Sequence, residues 1–378
     1  MDKANLALAE FLVAQGIHVH LVAHSVDPIL VQHPRVTVHA VARPLGSVVL
    51  GEWELDRRGR NVAAAILSEN PNARVLVNGG NCLLGDINWV HCVHHAWRTV
   101  DQGAPGWFKV KNALSKRIAR RRELRAFKRA RRIIANSEST ARELMKLGLG
   151  EEKISTIYLG GESEWNPATP GEKVEARNAL SLSAGRPIVA FVGALSFDNN
   201  KGFDILWQAW KRLCSMENWD ANLVVAGAGS GLKRWNAEAA AAGLTARVHF
   251  LGHTPDIYTV LAAADLLVSP VRYEAYGLNI QEAICRGVPV IASACAGIAE
   301  RYPANLRSTL LGHPEDSGDL ISKFLDWRSE MSTWNKRFQP FATALRAYSW
   351  HDMAASLVAA VEGTTTPRFE RPCEAIAS

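Results

Sequence analysis

Two carboxylates on either side of a glycine are the residues of this sequence best suited to chemistry. In the segment RYEAYGLNIQEAICRGVPVIAS, Glu274 precedes Gly277, and Glu282 lies eight positions after Glu274. Carboxylates accept hydrogen bonds from vicinal hydroxyls, so the pair suits a ribose and a sugar ring. Leu278 opens a helical pattern, and the N–H groups and dipole at a helix start favour anions such as the phosphates between those rings. A loop acid followed by a solvated helix acid is the plainer alternative. Gly277, the helix start and the PVIAS strand weigh against it, because all would belong to one strand–loop–helix–strand unit.

Histidines form a second group. His91, His94 and His95 cluster in WVHCVHHAW. A zinc site is one reading. However, Trp89 to Val93 reads as a strand, and neighbours on a strand face opposite ways, so His94 and His95 should diverge. No Cys or acidic partner sits at usual ligand spacing, and no metal is expected. No two aspartates are spaced as D-x-D, so a divalent-metal clamp on a diphosphate has no obvious ligands. GAGSG, at Gly227 to Gly231, has the composition of a dinucleotide loop but not its spacing, since Leu232 takes the third glycine position. A tight turn is the first reading of Gly227 and a ligand-lining role the second.

These residues need elements to hold them. In the first half, His18 to His24, Val36 to Val41, Ala73 to Val77, Trp89 to Val93 and Arg132 to Ala135 read as strands. Helical patterns such as Ala4 to Gln15 and Ser139 to Leu147 lie among them, and Ser137 with Glu138 reads as an N-cap with an acid in the first turn. In the second half, Ile188 to Val192, Leu223 to Ala226, Val248 to Leu251, Leu266 to Ser269 and Val288 to Ala292 are buried-type strands. Phe203 to Leu213 and Leu278 to Arg286 are helices between them. Alternation of this kind implies parallel sheets covered on both faces, and ligands at the carboxyl ends of the strands. The division expected is a domain over 1–163, a linker over 164–186 rich in Gly, Pro and polar residues, a domain over 187–345, a helix over 346–363 and a disordered tail over 364–378. The chain opens directly into a helix, so either it begins late in its first domain or that sheet lacks its first strand.

Composition narrows the partners. The chain has 378 residues, 48% of them apolar, and a net charge of +6. Twelve Lys/Arg fall between Lys109 and Arg132 against the single acid Glu123, so the remainder of the chain is net negative. Basicity this local argues against a general nucleic-acid binder. The run WFKVKNALSKRIARRRELRAFKRARR reads as a basic amphipathic helix, either solvated or lying on an anionic membrane surface. No apolar run is long enough to span a bilayer. Six cysteines without a C-x-x-C pair suggest thiols in a reducing compartment. A cytoplasmic location is expected, with peripheral contact at the inner membrane face through 109–132. Twelve tryptophans suggest either carbohydrate binding or, more simply, burial.

The Arg272–Ala283 stretch resembles the signature of glycosyltransferase family 4, with its two glutamates separated by seven residues. FVGALSFDNNKGFDILWQAWKRL, LVVAGAGSG, VHFLGHTPD and AGIAE are similar to the family's other segments and follow its order. RRIIANSESTARELMKLG with ISTIYLGGE resembles its Asn-Ser helix and interdomain strand. The resemblance implies an α/β protein of two Rossmann-like doubly wound domains facing a cleft, the GT-B architecture, with the first strand of the N-terminal domain missing. It implies a retaining, metal-independent transfer of a hexose-type sugar from a nucleotide diphosphate donor. The acceptor would be a hydroxyl of a glycan, lipid-linked or small molecule, and no cofactor beyond the donor is expected.

By the same resemblance, Glu282 would bind the nucleotide ribose and Glu274 the transferred sugar. Backbone around Gly277, Leu278 and Asn279 would hold the diphosphate, Lys201 would neutralise the leaving phosphate, and Gly193, Gly202 and Gly227 would line the donor. His94, with His95 as the alternative, would reach the sugar from the first domain. Family members often carry Arg directly after the glycine of the first strand of the donor domain. Here Ala194 follows Gly193, and Arg272 or a residue of SFDNN is the candidate replacement. A catalytically impaired scaffold protein and a nucleotide-sugar epimerase of related fold are the competing readings.

Overall fold

A computed structural model of the chain describes residues 2–98, 100, 103–183 and 185–363. The tail expected over 364–378 lies outside the described residues. The chain divides into two contact-dense units. One draws on Met1–Ala96, Gly106–Gly160 and, of the described residues, 349–363; the other draws on Trp97–Pro105 and Gly161–Tyr348.

The first unit holds two parallel ladders. Strands β1 (Val19–Ala23) and β2 (Val36–Ala40) pair with Val19 opposite Val36. Strands β3 (Leu76–Asn78), β4 (Ile87–Val90), β5 (Arg132–Ala135) and β6 (Ile154–Thr156) form a sheet in that order. No strand pairing joins the two ladders among the described residues. The described strands of this unit therefore form two separate ladders, not one continuous sheet. Val90, Val93, Phe127, Ile133 and Leu144 build one core cluster. The helix Gly106–Arg129 contributes to it only near its end, where Glu123, Ala126 and Phe127 are buried. Ser137 caps the helix Glu138–Lys146 by accepting from the Thr140 N–H at 3.0 Å. The last helix, Trp350–Glu362, packs on the first, Asp2–Ala14, with the Phe11 and His351 rings 4.8 Å apart.

The second unit holds one six-stranded parallel sheet: β7 (Ile188–Val192), β8 (Asn222–Ala226), β9 (Val248–Gly252), β10 (Leu266–Ser269), β11 (Val290–Ser293) and β12 (Leu310–Leu311). Its order is β12-β11-β10-β7-β8-β9. The chain thus builds outward from β7 in one direction and returns to build outward from β10 in the other. Residues 164–186 contain the helix Pro170–Ala179, begun by a reciprocal Thr169–Glu172 capping box. This helix is fastened to the sheet through Asp265, whose Oδ2 accepts from Arg177 and from the Ile188 N–H, each at 2.7 Å. Trp89, Trp210, Trp327 and Trp334 are fully buried, so burial accounts for much of the tryptophan content.

Candidate functional site

In the second unit the strand order reverses between β7 and β10, and the loops leaving their carboxyl ends part in opposite directions, which opens a crevice. β7 runs out into Gly193 and the loop to Lys201. β10 runs out into Pro270–Gly277 and then into the helix Leu278–Cys285. Gly193, Gly202, Gly277, Leu278, Asn279, Glu282, Lys201 and Glu274 therefore gather at one end of one sheet.

The two loops are bonded to each other. Asn200 Nδ2 donates to the Tyr273 carbonyl at 3.0 Å, and the Arg272 N–H donates to the Asn200 carbonyl at 2.9 Å. Gly202 has φ 71°, and a Cβ there would fall 1.8 Å from the Pro270 carbonyl oxygen. Glycine is thus required both by conformation and by the approach of the β10 loop. The Lys201 ammonium pairs with the Glu274 carboxylate across this junction. Gly193 lies beside the Lys201 stem, its Cβ position 3.4 Å from Lys201 Cγ.

Glu274 is also held from behind. It bridges Ala296 in a parallel pair, and the Gly297 N–H donates to its carbonyl at 3.0 Å. Gly277 is the N-cap of the following helix at φ 108°, and no side chain caps that helix. Its first-turn N–H groups are the ones that a helix cannot satisfy internally. Asn279 Nδ2 donates to the Val192 carbonyl at 3.0 Å, which docks the helix start on the end of β7. Glu282 is buried, 7% exposed, inside the same helix. Gly227 follows β8, and a Cβ there would lie 1.8 Å from the Gly193 carbonyl oxygen. Close packing against Gly193 explains this glycine.

Two supports of the site escaped sequence reasoning. Arg301 Nη1 donates to the Tyr276 hydroxyl at 2.8 Å, and that hydroxyl donates to Gln281 Oε1. The network is buried, and burial pushes the Tyr276 phenol up to about 12, so it stays a neutral donor. Arg272 is the second. Its guanidinium is bidentate to Asp204, with both contacts at 2.7 Å, and it also bonds Glu315 and the Asn199 carbonyl. The side chain is 2% exposed. The expectation that Arg272 could replace the cation absent at Ala194 is therefore corrected: its donors are committed to bracing the Lys201 loop. The signal in the sequence was Asp204, in the first turn of the helix Phe203–Cys214 and two residues after Gly202.

The first unit places His94 differently from the sequence expectation. β4 ends at Val90, so His94 and His95 stand in a turn beyond the sheet, and the alternation of strand faces does not apply to them. Both turn toward Glu123. Its Oε1 is 2.9 Å from His94 Nδ1, its Oε2 accepts the His94 N–H at 2.8 Å, and Oε2 is 3.8 Å from His95 Nδ1. The acidic partner absent from local spacing is thus supplied from the basic helix, 29 residues on. His91 does not join them. It is half-buried beside Trp89, ring centroids 4.4 Å apart, and desolvation of its ring lowers its imidazole to about 3. Among the described residues, no three His, Cys, Asp or Glu side chains are grouped to hold a metal.

Comparison with known proteins supplies the family. Residues 3–164 match the family model described as Glycosyltransferase Family 4, and residues 172–337 match the model for glycosyl transferases group 1. A D-inositol 3-phosphate glycosyltransferase of Nocardia farcinica is 29% identical over 387 residues, covering 95% of this chain and 83% of that protein. Among solved structures, WaaG, a glycosyltransferase involved in lipopolysaccharide biosynthesis, aligns with a TM-score of 0.74 at 18% identity, covering 96% of this chain and 95% of that one. Anabaena HepE in complex with UDP-glucose aligns with a TM-score of 0.68 at 20% identity, covering 95% and 96%. These are glycosyltransferases of the GT-B fold, and the two parallel-sheet units fit it. The chain belongs to the glycosyltransferases of the family 4 and group 1 type.

Proposed function

We propose that this glycosyltransferase moves a hexose-type sugar from a nucleoside diphosphate donor to an acceptor hydroxyl, with retention of anomeric configuration. One observation carries the reading. The Lys201 ammonium and the Glu274 carboxylate meet beside an uncapped helix start, with Glu282 inside that helix. This grouping offers a cation and backbone N–H groups for a diphosphate, and two carboxylates for sugar hydroxyls. Charge developing on the leaving diphosphate falls to Lys201 and the Gly277–Asn279 backbone, as preorganised donors in a partly dry site. Glu282 takes the ribose, Glu274 the transferred sugar, and His94 acts at the sugar. The inositol phosphate acceptor named for the Nocardia relative supports a hydroxyl acceptor, and the UDP-glucose bound to HepE supports a UDP-sugar donor. Proton NMR of the first-formed product tests the stereochemistry. An anomer inverted relative to the donor refutes retention.

A lipid-linked acceptor is favoured by the first half of the helix Gly106–Arg129. Trp107, Val110 and Leu114 recur at i, i+3 and i+7 and are 65%, 71% and 59% exposed. Lys109, Lys111 and Arg117 beside them are exposed too. An apolar stripe flanked by cations suits an anionic bilayer surface. Co-sedimentation with phosphatidylglycerol vesicles tests this, and binding unchanged in Trp107→Ser/Val110→Ser/Leu114→Ser refutes it. No helix among the described residues is long and apolar enough to cross a membrane.

A further inference from the structure

The single acid of the basic helix is the one charged side chain that helix turns fully inward. Glu123 is 1% exposed, next to the buried Ala126 and Phe127. A carboxylate buried to this degree needs partners, and it finds two on one residue. Oε2 accepts the His94 main-chain N–H at 2.8 Å, and Oε1 lies 2.9 Å from His94 Nδ1. Arg120 Nε donates to the His94 carbonyl at 3.0 Å, so the same helix holds the main chain on both sides of the His94 Cα. The other charged groups facing the pair are His95, 3.8 Å from Oε2, and the Glu52–Arg122 ion pair at 3.9 Å.

An ionised carboxylate only accepts, so the 2.9 Å contact requires the proton on Nδ1. The neutral ring then carries its lone pair on Nε2. We infer that Glu123 is a positioning residue that fixes His94 in the Nδ1–H tautomer, so that Nε2 meets a substrate hydroxyl as an acceptor. The inference deepens the proposed function, since it rests on His94 acting at the sugar. The main-chain bond and the ring bond have separate purposes: one sets where the turn sits, the other sets which nitrogen bears the proton.

Glu123→Gln separates the two. A glutamine keeps the size and one acceptor oxygen. The His94 main-chain N–H can only donate and so takes that oxygen, which leaves the amide NH2 against Nδ1. The ring must then accept at Nδ1 and carry its proton on Nε2. The test is 15N NMR of full-length protein labelled in histidine, with the His94 signals assigned by their loss in His94→Gln. The expected result is the Nδ1–H pattern in the wild type and the Nε2–H pattern in Glu123→Gln. UDP release from UDP-glucose should fall by about 10²-fold in kcat in that variant, as for a displaced acid–base group, with KM within a few-fold. A wild-type His94 in the Nε2–H form overturns the inference without any variant. Retention of Nδ1–H and of full kcat in Glu123→Gln overturns it as well. Unchanged turnover in His94→Gln instead refutes the placement of His94 at the sugar, and the tautomer signal still decides whether Glu123 sets the ring.

Discussion

The Lys201 ammonium rests on the Glu274 carboxylate, and the two come from loops that leave strands on opposite sides of the sheet's reversal. Each is 19–29% exposed as a side chain, so neither charge is sealed away. An incoming diphosphate would compete with Glu274 for the ammonium, and an incoming sugar would compete with Lys201 for the carboxylate. Lys201→Ala should therefore lower kcat for UDP release by roughly 10²–10³-fold, the scale for removing one donor at developing charge. Lys201→Arg should not restore it, because a planar guanidinium does not replace a compact ammonium. Steady-state kinetics of both variants check this, and kcat near wild type in Lys201→Ala would count against a catalytic lysine.

Glu282 should act in binding rather than in turnover. Hydrogen bonds to a charged group are worth about 1.5–3 kcal/mol, so Glu282→Ala should weaken UDP by roughly ten- to a hundred-fold. Calorimetric titration with UDP, run beside Glu274→Ala, reads this directly. The Glu274 variant should bind UDP at least as tightly as the wild type, since Lys201 is released from its carboxylate, and lose discrimination between UDP-glucose and UDP. Equal UDP affinity in wild type and Glu282→Ala would remove the ribose role.

Arg272 should matter for stability. Its removal strands Asp204, which is 12% exposed as a side chain, whereas Glu315 is 42% exposed and can turn to water. Breaking a buried pair from one side costs about 3–5 kcal/mol, with little of it from the Glu315 half. Arg272→Met should lower Tm by roughly 10 °C on that scale. Adding Asp204→Leu should recover part of the loss, since the stranded charge is then gone. A double variant no more stable than the single one would show that the carboxylate was not the source.

His91 predicts a pH dependence. Burial holds its imidazole neutral down to about 3, against an ordinary 6.5. Above that ordinary value both folded and unfolded chains carry it neutral, and it contributes nothing. Between about 6.5 and 3 only the unfolded chain takes up the proton, so stability falls as pH falls, by up to about 1.4 kcal/mol per pH unit. Thermal melts from pH 7.5 to 4.5 should steepen downward in the wild type and flatten in His91→Phe. Parallel curves for the two proteins would mean that other groups set the acid limb.

The donor-side loops were legible in the sequence because their meaning is local. Glu274, Gly277, Leu278 and Glu282 sit within nine residues, and the spacing that suggests a strand, a loop and a helix start is what the fold contains. The partners of Arg272 and His94 were not, because each is brought close by folding. Glu315 is 43 residues from Arg272, and Glu123 is 29 from His94. The strand read over Trp89 to Val93 ran past its true end at Val90 for a related reason. WVHCV has strand composition, but after Val90 the turn is held by Glu123 in place of a neighbouring strand. Gly227 was visible as a glycine, while the carbonyl of Gly193 that explains it was not.

Every proposed donor residue from Gly193 to Glu282 belongs to the unit that spans Gly161–Tyr348. In inheritance that stretch is one uninterrupted run of codons. A single recombination event could exchange the whole set together, with the Asp265 fastener and the Arg272 brace included, and so pass on a donor preference intact. Residues acting from the first unit, such as His94 and its Glu123, would have to be acquired separately.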